Sequence, residues 1–188
     1  MNCITRQSGF SLVEVLVAIT LLLIALVGPM TFFARNSQSA EVANDRTIAA
    51  FLAQEGAELI QKDRDDRVLQ WFEDPENNDE PWQDFLNNVS DCRDSECGVE
   101  ISVWSTEVTD CSNQANCQLY YNADADRNRY NHQGDGDTTP YTRIIRLSSS
   151  DYSREVTITS TVEWETSALR GTQQVEVQTT IFNVFDND

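Results

Sequence analysis

Residues 9–34 read GFSLVEVLVAITLLLIALVGPMTFFA. The block is long enough for a helix across a hydrocarbon core, which takes about 20 apolar residues. Its one formally charged residue is Glu14. Ahead of it stands a short polar leader, residues 1–9, carrying Arg6. A cation before the apolar run favours a cytoplasmic amino terminus and an exported remainder. A secretory signal peptide has a similar outline, but its apolar core is shorter and a small-residue cleavage site follows that core. Here the small residue, Gly9, precedes the run. Cleavage at Gly9 leaves the hydrophobic helix on the mature chain.

A carboxylate in a membrane helix costs on the order of 2.5–3.5 kcal/mol on insertion scales, so it normally has a partner. The block offers no Lys, Arg or His. A cut after Gly9 creates a positive α-amino group on Phe10, four residues from Glu14. That amine is placed to neutralise the acid within one subunit, or across two staggered subunits. The plain alternative is a single-pass anchor whose Glu14 lies solvated at the membrane surface.

Gly9-Phe10-Ser11-Leu12-Val13-Glu14, continued by Val15-Leu16-Val17-Ala18-Ile19, resembles the prepilin processing and methylation motif of type IV pilins and type II secretion pseudopilins. The resemblance covers about the first 35 residues and leans toward minor pilins. It implies cleavage between Gly9 and Phe10 by a prepilin peptidase, N-methylation of Phe10, and a role for Glu14 in subunit assembly. It also implies other pilin subunits as partners. The chain would sit in the inner membrane with its amino terminus cytoplasmic, then in a periplasmic or extracellular filament. Gly28-Pro29 interrupts the run: proline lacks an N–H and clashes with the preceding turn, so a kink or local melting is expected there. In filaments of this family a comparable stretch unwinds on assembly.

Beyond Ala34 the chain turns polar but keeps a helical rhythm. Val42, Ala49, Leu52, Ala53, Gly56, Leu59 and Ile60 fall near one face, with Glu41, Arg46, Glu55, Glu58 and Lys62 toward the other. One helix is therefore predicted over about residues 11–72. Its first part, 10–34, is the membrane or filament-core segment; 35–72 is an amphipathic continuation. Residues 73–188 form the head. They open on the turn-rich acidic connector 74–81 and a short helix from Trp82 to Val89. Strands are predicted at Val99–Val103, Leu119–Asn122, Thr142–Ser148, Glu155–Thr166 and Gln173–Phe185. In the first, Val99, Ile101 and Val103 alternate with Glu100, Ser102 and Trp104 as on a half-buried strand. Residues 167–172, with Gly171, suit a hairpin. The expected fold class is α+β, a long amino-terminal helix packed on an antiparallel sheet as in type IV pilins.

Five cysteines occur. Cys3 lies in the leader. Removing the leader leaves Cys92, Cys97, Cys111 and Cys117, an even set suited to two disulfides in an oxidising compartment. Four cysteines allow three pairings. Zinc is the competing reading, but these spacings are looser than the two-residue knuckle. The formal net charge of −18 argues against nucleic acid as a direct partner and against a bed of anionic lipid. Asp124, Asp126, Asn128 and Asp135 follow the oxygen spacing of a calcium loop. Arg129, however, stands where the turn wants Gly, and the last ligand is Asp instead of Glu. Calcium is thus a weak candidate and no other cofactor is expected. The lone His132 has no nucleophile beside it in sequence, and no phosphate-binding or metalloprotease motif occurs. The expectation is a non-enzymatic filament subunit. Its rivals are a secretion pseudopilin and a membrane-anchored adhesion module.

Overall fold

The computed structural model describes residues 9, 11–73, 80–101, 106–111, 117–123, 129–134, 136–166 and 171–184, the side chains of 31 and 34 excepted. Its contacts divide the chain into two units, Met1–Val42 and Ala43–Asp188.

Helix α1 spans Leu12–Glu73 and contains Pro29. The helix is unbroken through Gly28 and Pro29, so the melting expected there is not found in the single chain. In the first unit every described side chain from Leu12 to Phe33 is exposed. This stretch is long and apolar enough to cross a membrane, and none of it is buried against the protein.

In the second unit, α1 lies on one face of a sheet of seven strands. Helix α2 is Pro81–Asn88. The strands are β1 (Cys97–Ile101), β2 (Thr106–Asp110), β3 (Gln118–Asn122), β4 (Arg129–Asn131), β5 (Asp137–Ser148), β6 (Glu155–Glu165) and β7 (Thr172–Phe182). All strand pairs are antiparallel. One edge of β5 pairs with β6 from Tyr141 to Ser148, and β6 pairs with β7 along its whole length. The other edge of β5 is shared: β3 takes Asp137 to Thr142, and β1 takes Ile145 alone. Past that residue β1 leaves β5.

The core follows from two periodicities. On α1, Ala49, Leu52, Ala53, Gly56, Ala57, Leu59 and Ile60 are buried, at three- and four-residue steps that keep one helical face inward. On β6, Val156, Ile158, Ser160, Val162 and Trp164 are buried while the residues between them are not, the period of a sheet with one covered face. Helix α2 adds Trp82, Phe85 and Leu86 to this core. It is held by Trp82 Nε1 donating to Tyr152 O at 2.8 Å. Arg67 of α1 bonds both Asp63 (3.1 Å) and Asp84, and Asn88 Nδ2 donates to Asp63 at 3.2 Å. That arrangement explains how Asp63, 4% exposed, can be buried.

Gly56 sets the distance between helix and sheet. A Cβ there would sit 2.6 Å from Ser160 Oγ, 2.8 Å from Ile145 Cδ1 and 3.0 Å from Arg143 Cδ. Overpacking a full core costs roughly 1–3 kcal/mol, against a gain of about 1 kcal/mol for replacing glycine inside a helix. Gly56→Ala is therefore expected to destabilise the head by about 1 kcal/mol in a urea titration. A variant more stable than the parent would show that helix and sheet are not in close contact at this point.

Of the strand expected over Val99–Val103, residues 99–101 lie in β1 and 102–105 lie outside the described residues. Val99 is buried as expected, but Glu100 is buried as well and Ile101 is exposed. The cause is local. Glu100 Oε2 accepts the backbone N–H of His132 at 2.9 Å, so the turn after β4 covers the carboxylate. Strands β2 and β4 were not foreseen in the sequence.

Candidate functional site: the amino-terminal segment

The processing candidates stand at the chain's beginning. Gly9 is exposed and outside regular structure; Phe10 lies outside the described residues. Ser11 accepts the N–H groups of Glu14 (3.0 Å) and Val15 (3.2 Å) through its carbonyl and so starts α1. Glu14 falls in the helix's first turn. A negative side chain there meets the unsatisfied N–H groups of the helix start and is stabilised by about 0.3–1 kcal/mol at an exposed site. Ser11-Leu12-Val13-Glu14 also has the Ser-x-x-Glu spacing of a capping box, a sequence signal that the expectation of an amine partner overlooked.

Among the described residues Glu14 makes no ion pair, and the first cation after it is Arg35. Thr20 Oγ1 donates back to Val17 O at 2.8 Å, which hides that hydroxyl from an apolar medium. The segment is thus a greasy rod with one carboxyl group near its start. In water it would associate through its apolar face, and in lipid its backbone is already satisfied by helical bonds. Chemically it can anchor and it can pack against copies of itself.

The head candidates sort as follows. Cys92 and Cys97 are joined, with Cα atoms 5.0 Å apart, and so are Cys111 and Cys117, at 5.5 Å. This is the sequential pairing of the three that were open. Cys97 faces Asp110 in the β1–β2 ladder, and Cys111 N–H donates to Glu96 O at 3.1 Å. Both bridges therefore brace one end of that hairpin. Of the calcium candidates, Asp124, Asp126, Asn128 and Asp135 all lie outside the described residues. Among the described residues no group of three His, Cys, Asp or Glu side chains is placed to hold a metal. Gly136, beside Asp135, has φ +121°, and a Cβ there would sit 2.4 Å from Tyr121 O; close backbone approach accounts for that glycine.

His132 is not the loose loop residue its surroundings in sequence imply. Its ring lies against Gly98, where a Cβ would come within 3.2 Å, and both ring nitrogens are closed off from water. Burial, and then the positive charge of Arg143, lower its pKa from 6.5 to about 4; the backbone of Gln118, which favours the charged ring, is outweighed. Arg143 is buried with 1% exposure. Its Nη1 donates to Glu55 Oε2 (2.8 Å) and its Nη2 to Val99 O (2.8 Å). That carbonyl belongs to the part of β1 that has left the β5 ladder. This group ties α1, β1 and β5 together as a structural knot.

Residues 4–28 match the family described as the prokaryotic N-terminal methylation motif. No curated protein and no solved structure matches the chain. The matched stretch contains Gly9, Phe10 and Glu14, and it stops at Gly28.

Proposed function

We propose that this chain, which carries the type IV pilin and pseudopilin signature at residues 4–28, is a minor structural subunit of a pilus-like filament. The signature implies processing by a prepilin peptidase and assembly with other pilins, and the apolar helix fits a membrane-anchored precursor. The observation that carries the finer reading is Glu14: an acidic side chain on an exposed apolar helix with no cation to meet it among the described residues. Removal of residues 1–9 would supply that cation as the amine of Phe10. Between staggered subunits this pair would set axial register, since any other offset leaves the acid without a partner in lipid.

In this reading 10–34 is the membrane and filament-core segment, 35–72 carries the helix into the head, and the head forms the surface. Gly28-Pro29 supplies the weak point at which the helix could lengthen during assembly, because Pro29 removes one helical hydrogen bond. Two disulfides at one end of the head suit a subunit exposed outside the cell, and favour a pilus over a secretion machine. The motif points to a structural family, generally non-enzymatic.

Two measurements test this. The intact mass of membrane-extracted protein is expected to show loss of Met1 to Gly9 and addition of one methyl group. Glu14→Ala is expected to insert and be processed normally, yet be missing from sheared filaments, an effect of roughly ten-fold or more on incorporation. Unchanged incorporation would overturn the charge-pair mechanism. A mature chain that begins after the apolar run would overturn the filament reading altogether.

A further inference from the structure

The sheet ends differently on its two sides. On one side the outermost strands are short: β2 has five residues and β4 three. On the other side stands β7, with eleven residues, and among the described residues it pairs with β6 alone. An edge strand presents a row of backbone N–H and C=O groups that can template another strand. Folded chains blunt such an edge by shortening it, by a bulge, or with proline, lysine or inward-pointing charge. β7 has none of these. Its register with β6 runs without a shift from Glu155↔Phe182 to Glu165↔Thr172. Its sequence, TQQVEVQTTIF, holds no proline and no cation, and its one charge, Glu176, lies on the exposed outer row.

The inner row of β7 is unfinished as well. Val175 and Val177 pack against the core yet are only half-buried, whereas Val156, Ile158 and Val162 of β6 are buried completely. The core thus reaches the edge and stays partly open there. One more strand would supply both what the edge and what the core lack: backbone bonds along β7, and apolar side chains beside Val175 and Val177.

The outer row selects the charge of that strand. β6 and β7 carry Glu155, Glu163, Glu165 and Glu176 there, and neither strand has a Lys or Arg. On β5, Arg146 is taken by Glu96 at 3.1 Å. Opposite charges on neighbouring strands attract and like charges repel. A segment with apolar residues inward and Lys or Arg outward therefore fits, and the net charge of −18 would draw it in. A second copy of this chain does not fit. β7 laid antiparallel on its own copy would bring two Glu176 side chains close, between bodies of the same sign.

We propose that the open edge of β7 binds an extended segment of another protein, in which apolar and basic residues alternate, as an added strand of the sheet. The proposal stands apart from the filament reading, since it uses the head alone and neither Glu14 nor processing.

The test uses the full chain in nonionic micelles and a capped peptide of alternating lysine and valine, about as long as β7. A peptide of alternating glutamate and valine is the control. Amide hydrogen exchange, followed by NMR, is expected to slow at alternate residues of β7 when the lysine peptide is added, and at no residue of β2 or β4. The glutamate peptide is expected to leave exchange unchanged. Glu176→Lys, at an exposed position, is expected to melt like the parent but to bind the lysine peptide about five-fold more weakly. No slowing at β7, equal slowing by the glutamate peptide, or unchanged affinity in Glu176→Lys would each overturn the proposal. So would β7 amides that slow with rising protein concentration before any peptide is added, which would assign the edge to a second copy.

Discussion

Arg143→Ala is expected to lower the stability of the head by about 4 kcal/mol, through a cavity and a stranded buried charge together. The side chain is the bulkiest of those with under 2% exposure. It joins three elements: Nη1 reaches Leu52 O (3.4 Å) and Glu55 on α1, Nη2 reaches Val99 O on β1, and its own backbone is in β5. Truncation opens a cavity, orphans the Val99 carbonyl, and leaves the Glu100 carboxylate buried without the cation in whose field it lies. Glu55 is 44% exposed at its side chain and can turn to water, so little of the cost comes from it. The contributions can be separated. Arg143→Met keeps most of the volume but not the charge, and is expected to recover about half of the loss, within the range of about 1–3 kcal/mol for an unsatisfied buried polar group. Adding Glu100→Gln to Arg143→Met removes the stranded charge while keeping an acceptor for His132 N–H, and is expected to recover more. Urea titrations of the parent and these three variants, followed by tryptophan fluorescence in micelles, decide the matter. A loss below about 1 kcal/mol in Arg143→Ala would mean that the knot does not hold α1 to the sheet.

The long helix was legible because two signals agree along it: an uninterrupted apolar run, then a three- and four-residue stripe. The predicted 11–72 becomes Leu12–Glu73. Strands β5, β6 and β7 were legible for the same reason, as Val156, Ile158 and Val162 repeat at period two over a length sufficient to fix the face. The two missed strands have no such pattern. Arg129-Tyr130-Asn131 is a strand only because Tyr120, Tyr121 and Asn122 lie opposite it, and Thr106–Asp110 only because it closes a ladder with Cys97 to Ile101. Long-range pairing, which no local window contains, creates both.

The two candidate regions differ likewise. Gly9 and Glu14 could be found because their meaning lies in the spacing between a small residue, an acid and an apolar run. The group around Arg143 is assembled from α1, β1, β4 and β5, and nothing in the sequence draws them together. One signal was present and unread. Tyr141, Ile145 and Leu147 share the inward face of β5, and parity puts Arg143 there with them. An arginine at an inward strand position asks for an acid across the core, and Glu55 sits on the facing helix one residue before Gly56. Glu100 was misassigned because alternation assumes a strand with one face in solvent, and the turn after β4 covers that face at Glu100.

The same knot makes the head sensitive to acid through His132. The imidazole is neutral in the folded head down to about pH 4, whereas in an unfolded chain it takes up a proton near pH 6.5. Between those values the unfolded state binds the proton that the folded state refuses, so stability falls as pH drops through 6.5 and the loss is complete near pH 4. The full effect is about 3 kcal/mol. The groups facing the ring explain why the fold cannot simply absorb the charge: Gly98 gives no side chain to accept a bond, Arg143 repels a second cation, and Glu100 already receives the His132 backbone N–H. Carboxylates of the head titrate in the same range, so the quantity to compare is the difference between parent and His132→Gln. The glutamine variant carries no charge at any of these pH values and is expected to lack the extra fall, its urea midpoint drifting less than the parent's from about pH 7 to about pH 4. Parallel curves for the two proteins would show that the imidazole titrates normally in the folded head, and hence that β4 and the turn after it do not seal it against Gly98.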